Sequence, residues 1–132
     1  MEPGTYLDDE EEQTVVIVMT SGPGAPHRCA TPFYLGALLA SMDAEVHIFF
    51  TMEGVNLMKK GVPDELCAME GGKRILDFVR DAKRAGAILH VCRPALPGYD
   101  LDEADLIDEV DHVSSAGVLA QLLLGCDKVL SF

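Results

Sequence analysis

The segment 87-AILHVCRPALPG-98 runs as an apolar strand until Cys92, Arg93 and Pro94, and there the chain sets its most usable chemistry. A thiol beside a guanidinium ionises more readily than one packed among aliphatic side chains, and the thiolate is the nucleophilic form. Pro94 has no N–H, so it stops sheet pairing from running on past the sulfur. A cysteine at such an edge is either an inert packed thiol or one that a second sulfur can reach. The strand-end position and Arg93 bring the second reading level with the first.

The other thiols are placed differently. Cys29 has Arg28 and the expected start of a helix beside it, which favours partial activation. Cys67, in a polar loop, and Cys126, before Asp127, lack a cationic neighbour in the sequence and read as structural. No CxxC or CxH pair occurs, so neither a zinc site nor a thioredoxin-like motif is indicated, and four scattered cysteines fit reduced thiols in a cytosolic protein.

Among the histidines, His27 lies beside Arg28 and Cys29 in a loop and is the candidate for a metal or catalytic role. His47 and His90 fall inside apolar strands, where packing or a hydrogen bond is expected, and His112 follows an acidic stretch with which it can pair. His90 and Cys92 share one face of their strand at about 7 Å by the rise per residue, too far for direct proton transfer unless the strand bends. The loop 21-SGPGAPH-27 matches neither GxGxxG nor GxxxxGK[ST], and Pro23 and Pro26 remove two donors from any phosphate cradle, so a turn that re-aims the chain is the better reading.

The elements that position these groups are legible from their patterns. Val15–Met19 is a continuous β-branched run, as in a strand covered on both faces. Thr31 is placed to cap a helix with Pro32 at its first position, continuing to about Met42 and apolar on nearly every side, hence largely buried. A second strand covers 46–50 and ends at 51-TMEGVNLMKKG-61, a short helix or turn. Helical spacing predicts a helix over 73–85, closed by Gly86. The third strand is 88–91, and a further short strand is expected near 110–113. Ser114 or Ser115 can cap a helix through Val118 to Leu123, and 128–130 closes the chain as a strand. Such alternation predicts βαβ units: one α/β domain over 14–132 with a largely parallel sheet of about five strands and helices on both faces. Ligands in such folds sit beyond the carboxyl ends of the strands. That puts the loop after Met19, the 51-TMEGVN-56 turn and Cys92 on one rim.

Charge narrows the partners. The net charge is −12, and 12 of the 22 acidic residues fall in Asp8–Glu12 and Asp100–Asp111. Residues 1–13 read as an acidic flexible tail. Such a surface repels phosphate backbones and suits basic proteins, so nucleic acid is not an expected partner. No apolar run approaches the roughly 20 residues of a membrane span, and no export signal opens the chain, so a cytoplasmic, membrane-free protein is expected.

The segment 30-ATPFYLGALLASMDAEVHIFFTMEGVNLMKKG-61, the strand ending in Cys92, and 120-AQLLLGCDKVLSF-132 together resemble the DsrE/DsrF-like family of small sulfur-relay proteins. The resemblance implies a flavodoxin-like, three-layer α/β domain that assembles into trimers or hexamers. It also implies a sulfur carrier or sulfurtransferase holding sulfane sulfur as a persulfide on the residue that matches Cys92; thiol exchange requires no cofactor or metal, and the reading of the residues adds Arg93, Cys29 and His27 as supporting candidates. TusA-like carriers and rhodanese-like donors are the implied partners. Cys29 departs from the family pattern, as a second sulfur site or a spectator. The competing readings are a docking subunit whose cysteines are spectators and a small-molecule-binding regulator.

Overall fold

The computed structural model describes residues 12–132. Apart from Glu12 and Gln13, the expected acidic tail lies outside the described residues. Gln13 is already tied to the fold, its carbonyl accepting the Glu45 N–H at 2.8 Å.

Five strands form one all-parallel sheet: β1 (Thr14–Met19), β2 (Glu45–Phe50), β3 (Ile88–Cys92), β4 (His112–Ser114) and β5 (Lys128–Ser131), in the order β4-β3-β2-β1-β5. The β-branched and aromatic runs chosen from sequence are the three central strands. Among the described residues four α-helices accompany them: α1 (Thr31–Ser41), the short α2 (Val62–Glu65), α3 (Ile75–Ala85) and α4 (Ala116–Gly125). From β1 to β4 the chain steps one way across the sheet, and right-handed crossovers put α1 and α3 on one face. It then returns past three strands to β5, which carries α4 over the other face.

The first face holds the main core. Alternation along the strands sends Val15, Ile17, Met19, Val46, Ile48, Phe50, Leu89 and Val91 to it, where they meet Phe33 of α1 and Ile75, Val79 and Ala82 of α3. Phe33 stacks on Phe50 with ring centroids 5.7 Å apart.

Two expectations about α1 are corrected. Thr31 is the first helical residue and makes no capping hydrogen bond, because Ala30 occupies the cap with helical backbone angles. The helix is also not largely buried: only Pro32, Phe33 and Gly36 are, while Tyr34, Leu38 and Met42 face outward. A uniformly apolar helix can bury just one stripe against a single sheet, and α3 covers part of the rest. Helix α4 is the same case further on, apolar but for Gln121 and with no fully buried residue. Ser115 sits at its cap position without donating or accepting a capping bond.

The acidic stretch from Asp100 to Asp111 is a docked loop. Its interleaved Leu101, Leu106 and Ile107 are buried, and the Ile107 N–H donates to the Met58 carbonyl at 2.8 Å. Arg80 of α3 pairs with Glu109 at 3.1 Å, and Lys83 of α3 pairs with Asp111.

Candidate functional site

Cys92 is the last residue of β3 and is 8% exposed. The chain leaves it in a 3-10 turn, Arg93–Ala95, with Pro94 in the first turn, so the strand stops at the sulfur as the sequence suggested. Arg93 is exposed; its Nη2 donates to the Val113 carbonyl at 2.8 Å and its Nε lies 3.7 Å from Glu103. The acidic loop thus reaches the residue next to the thiol, and the Arg93 side chain is held by the Val113 carbonyl and Glu103.

On β3, His90 and Cys92 face away from the main core, toward the α4 side. The neighbouring strands put more polar groups there. Register pairs His90 with Phe49 and His112, and Cys92 with Ser114. The side chains join in a line: His47 Nε2 lies 2.8 Å from Glu45 Oε2, His47 Nδ1 lies 2.9 Å from His90 Nε2, and His90 Nδ1 lies 3.1 Å from Ser114 Oγ. Burial first, then His47 and His112, push the His90 imidazolium down to about pKa 4, with Asp111 opposing. His90 is therefore neutral at physiological pH and stacks on Phe49 with ring centroids 5.5 Å apart. Among the described residues, no buried side-chain nitrogen or oxygen is left without a partner.

The bland expectation for His47 and His90, a hydrogen bond inside a strand, is met, but their union with Glu45 and Ser114 is new. The available signal was the alternation 45-EVH-47 on one strand and 112-HVS-114 on another, polar at every second residue. Recognising it needs the register between strands.

The loops after β1 and β2 pack backbone on backbone. A side-chain Cβ at Gly54 would stand 2.3 Å from the Met19 carbonyl oxygen, and one at Gly22 would stand 2.3 Å from that of Glu53. The Thr51 N–H donates to the Met19 carbonyl at 3.0 Å. These two loops and Cys92 stand at the carboxyl ends of adjacent strands, as the alternation of elements implies.

Cys29 and His27 separate. His27 is exposed in a 3-10 turn, whereas Cys29 just after it is fully buried, its Sγ 3.4 Å from the carbonyls of Gly22 and Ala25. Burial pushes the Cys29 thiol up to about 11, outweighing the lowering by Arg28. This is opposite to the activation suggested by its sequence neighbours, because desolvation of a thiolate exceeds the pull of an exposed arginine. Cys67 does have a cation nearby: it bridges to Arg74 across an isolated antiparallel pair, which sequence distance concealed. Cys126 is half-buried, its Sγ 3.5 Å from the Leu123 carbonyl.

Among the described residues no three His, Cys, Asp or Glu side chains are grouped to hold a metal ion, and no helix is long and apolar enough to cross a membrane.

The sequence matches the family model described as "DsrE/DsrF-like family" over residues 13–132. No curated protein matches it. Among solved structures, the fold is similar to that of the ychN protein from E. coli, at 19% identity and a TM-score of 0.74, covering 92% of this chain and 100% of that one. A protein of unknown function from Methanobacterium thermoautotrophicum is similar at 15% identity and a TM-score of 0.60, again over 92% and 100%. One from Bacteroides thetaiotaomicron shares 13% identity at a TM-score of 0.61, over 91% and 95%. At these identities the likeness is one of fold.

Proposed function

The chain belongs to the DsrE/DsrF-like family, and from that membership and the position of Cys92 we propose that it is a cytoplasmic sulfur carrier, holding sulfane sulfur as a persulfide on Cys92 and passing it to a partner thiol. The observation that carries this reading is a free cysteine at the carboxyl end of a central strand, where the chain turns away at Arg93 and Pro94. The Cys92 thiolate attacks the outer sulfur of a donor persulfide or thiosulfonate. A new S–S bond forms, the donor's S–S bond breaks, and the donor thiolate or sulfinate leaves with the electron pair. The acceptor thiolate then attacks the terminal sulfur in the same way and releases the Cys92 thiolate. Both steps are exchanges with no net oxidation.

The acidic loop supports a basic sulfur-carrier protein of the TusA-like kind, or a rhodanese-like donor, as partner, since Glu103 stands against Arg93 beside the thiol. The support from Cys29 is weak, given its burial, and His27 stays a rim candidate only.

The test is the intact mass after polysulfide treatment. The parent protein should gain about 32 Da for each sulfur bound, and Cys92→Ser should fold and assemble as the parent does yet gain none at that position. Cys67→Ser and Cys126→Ser should load as the parent does. If Cys92→Ser loads equally, the protein is a docking subunit whose cysteines are spectators.

A further inference from the structure

The hydrogen-bonded line on the Cys92 face has one end beside the thiol and the other at solvent. Its directions follow from the chemistry of its members. Glu45 is half-exposed, and as a carboxylate it only accepts, so His47 carries a proton on Nε2. With His47 neutral, its Nδ1 accepts from His90 Nε2–H, which leaves His90 Nδ1 bare to accept the Ser114 hydroxyl proton. Ser114 Oγ then has lone pairs free. Ser114 is the register partner of Cys92 on the adjacent strand, and paired side chains there point to the same face about 5 Å apart. One water or one side-chain rotation spans that distance. Thus the gap of two residues between His90 and Cys92, too long for direct transfer, is filled from the neighbouring strand.

We propose that Ser114, His90 and His47 form a proton relay that takes the Cys92 thiol proton to His47, where the Glu45 carboxylate holds the resulting imidazolium. The thiol S–H bond breaks and its proton passes to Ser114 Oγ while the Ser114 hydroxyl proton passes to His90 Nδ1. The His90 Nε2 proton passes to His47 Nδ1, and the His47 Nε2–H stays donated to Glu45. Net, a neutral thiol and a neutral imidazole become a thiolate and an imidazolium. Ser114 ends unchanged and His90 ends as its other tautomer, with no change of oxidation state. When the sulfur leaves and the thiol re-forms, the proton returns by the same route.

The inference rests on the carrier reading for what the thiolate attacks, but not for the relay itself. It supplies what the rim needs when a partner docks and water is excluded from a sulfur already largely buried. The middle imidazole hands the proton on and does not keep it, as its low proton affinity requires. The ionisable groups around the line are Glu45 and His47 from β2, His112 from β4, Asp111, which is held by Lys83 of α3 and the Leu89 N–H, and, at the thiol end, Arg93 with Glu103 against it. Strand β1 and helix α4 contribute none.

The experiment is alkylation of Cys92 by iodoacetamide, followed site by site by peptide mass spectrometry between about pH 5 and 9, because only the thiolate reacts. Ser114→Ala and His47→Gln should each slow alkylation about tenfold at neutral pH and move the rate profile to higher pH. Ser114→Thr, which keeps the hydroxyl, should restore both. His47→Gln keeps a hydrogen-bonding side chain of similar reach, so the relay is tested even where Ser114→Ala fails to fold. Parental rates and profiles in Ser114→Ala and His47→Gln would make the line a structural network only. Iodoacetamide carries no sulfane sulfur, so relay-dependent alkylation without a persulfide mass gain overturns the carrier reading alone, and persulfide loading with relay-independent alkylation overturns the relay alone.

Discussion

Between two cysteines that each have an arginine as sequence neighbour, the surroundings decide. Arg28 precedes Cys29 and Arg93 follows Cys92, but Cys29 is sealed under the first loop with its thiol donating to carbonyls, while Cys92 ends a strand beside a polar line. Sequence could supply the arginines and not the desolvation. His90 carries a further consequence. Its proton affinity is lowered from 6.5 in the unfolded chain to about 4 in the fold, by burial first and then by His47 and His112. Below about pH 6.5 the unfolded state takes a proton that the native state refuses, so stability is lost as pH falls from about 6.5 toward 4, by at most about 3 kcal/mol from this group. Above that window the contribution is constant. His90→Gln should therefore flatten the pH dependence relative to the parent, read as the difference between urea midpoints at about pH 7 and about pH 4.5. Equal differences in the two proteins would mean that His90 is not the titrating group.

At the scale of elements, the rim depends on two loops lying closer than side chains allow. At Gly54 an added methyl meets the Met19 carbonyl, a rigid backbone group that cannot step aside, whereas at Gly24 it meets nothing within 4 Å. Gly54→Ala should cost roughly 2–4 kcal/mol in urea unfolding, and Gly24→Ala should stay within about 0.5 kcal/mol. A neutral Gly54→Ala would show that the two loops move apart freely. This contact also marks what sequence could disclose. The 51-TMEGVN-56 segment was legible as a turn at a strand's carboxyl end, and β1, β2, β3 and α3 were legible because continuous β-branched runs and helical periodicity are local signals. The strand order, the pairing of Ser114 with Cys92 and the line from Glu45 to Ser114 join residues far apart in the chain, Val15 and Lys128 being the register partners of β1 and β5, through contacts that no local pattern encodes. The exposure of α1 escapes the sequence for a related reason. An all-apolar helix looks like a core helix until one knows how many layers are available to cover it.

At the scale of the whole molecule, those apolar surfaces stay uncovered in a single chain. Tyr34 and Leu38 of α1 and Met42 at its C-terminal cap recur every four residues and are 58%, 45% and 60% exposed, so they form one outward stripe. On the opposite layer Leu124 is 90% exposed, and Val129 of β5 is 48% exposed. A twofold dimer uses one patch twice and would leave the other in water. Two different patches on opposite faces suit a head-to-tail contact instead, which closes into a ring when the rotation between copies divides a full turn. We therefore expect a homotrimer or homohexamer, the numbers being those the family resemblance implies, with the two apolar faces meeting between neighbours. Light scattering at micromolar concentration should give three or six times 14.3 kDa. Leu38→Lys and Leu124→Lys, each placing a charge in the joint, should lower that mass, while leaving the secondary structure intact because both side chains are exposed in the single chain. A parent protein that scatters as a monomer would overturn the ring, and a mass insensitive to both substitutions would move the interface elsewhere.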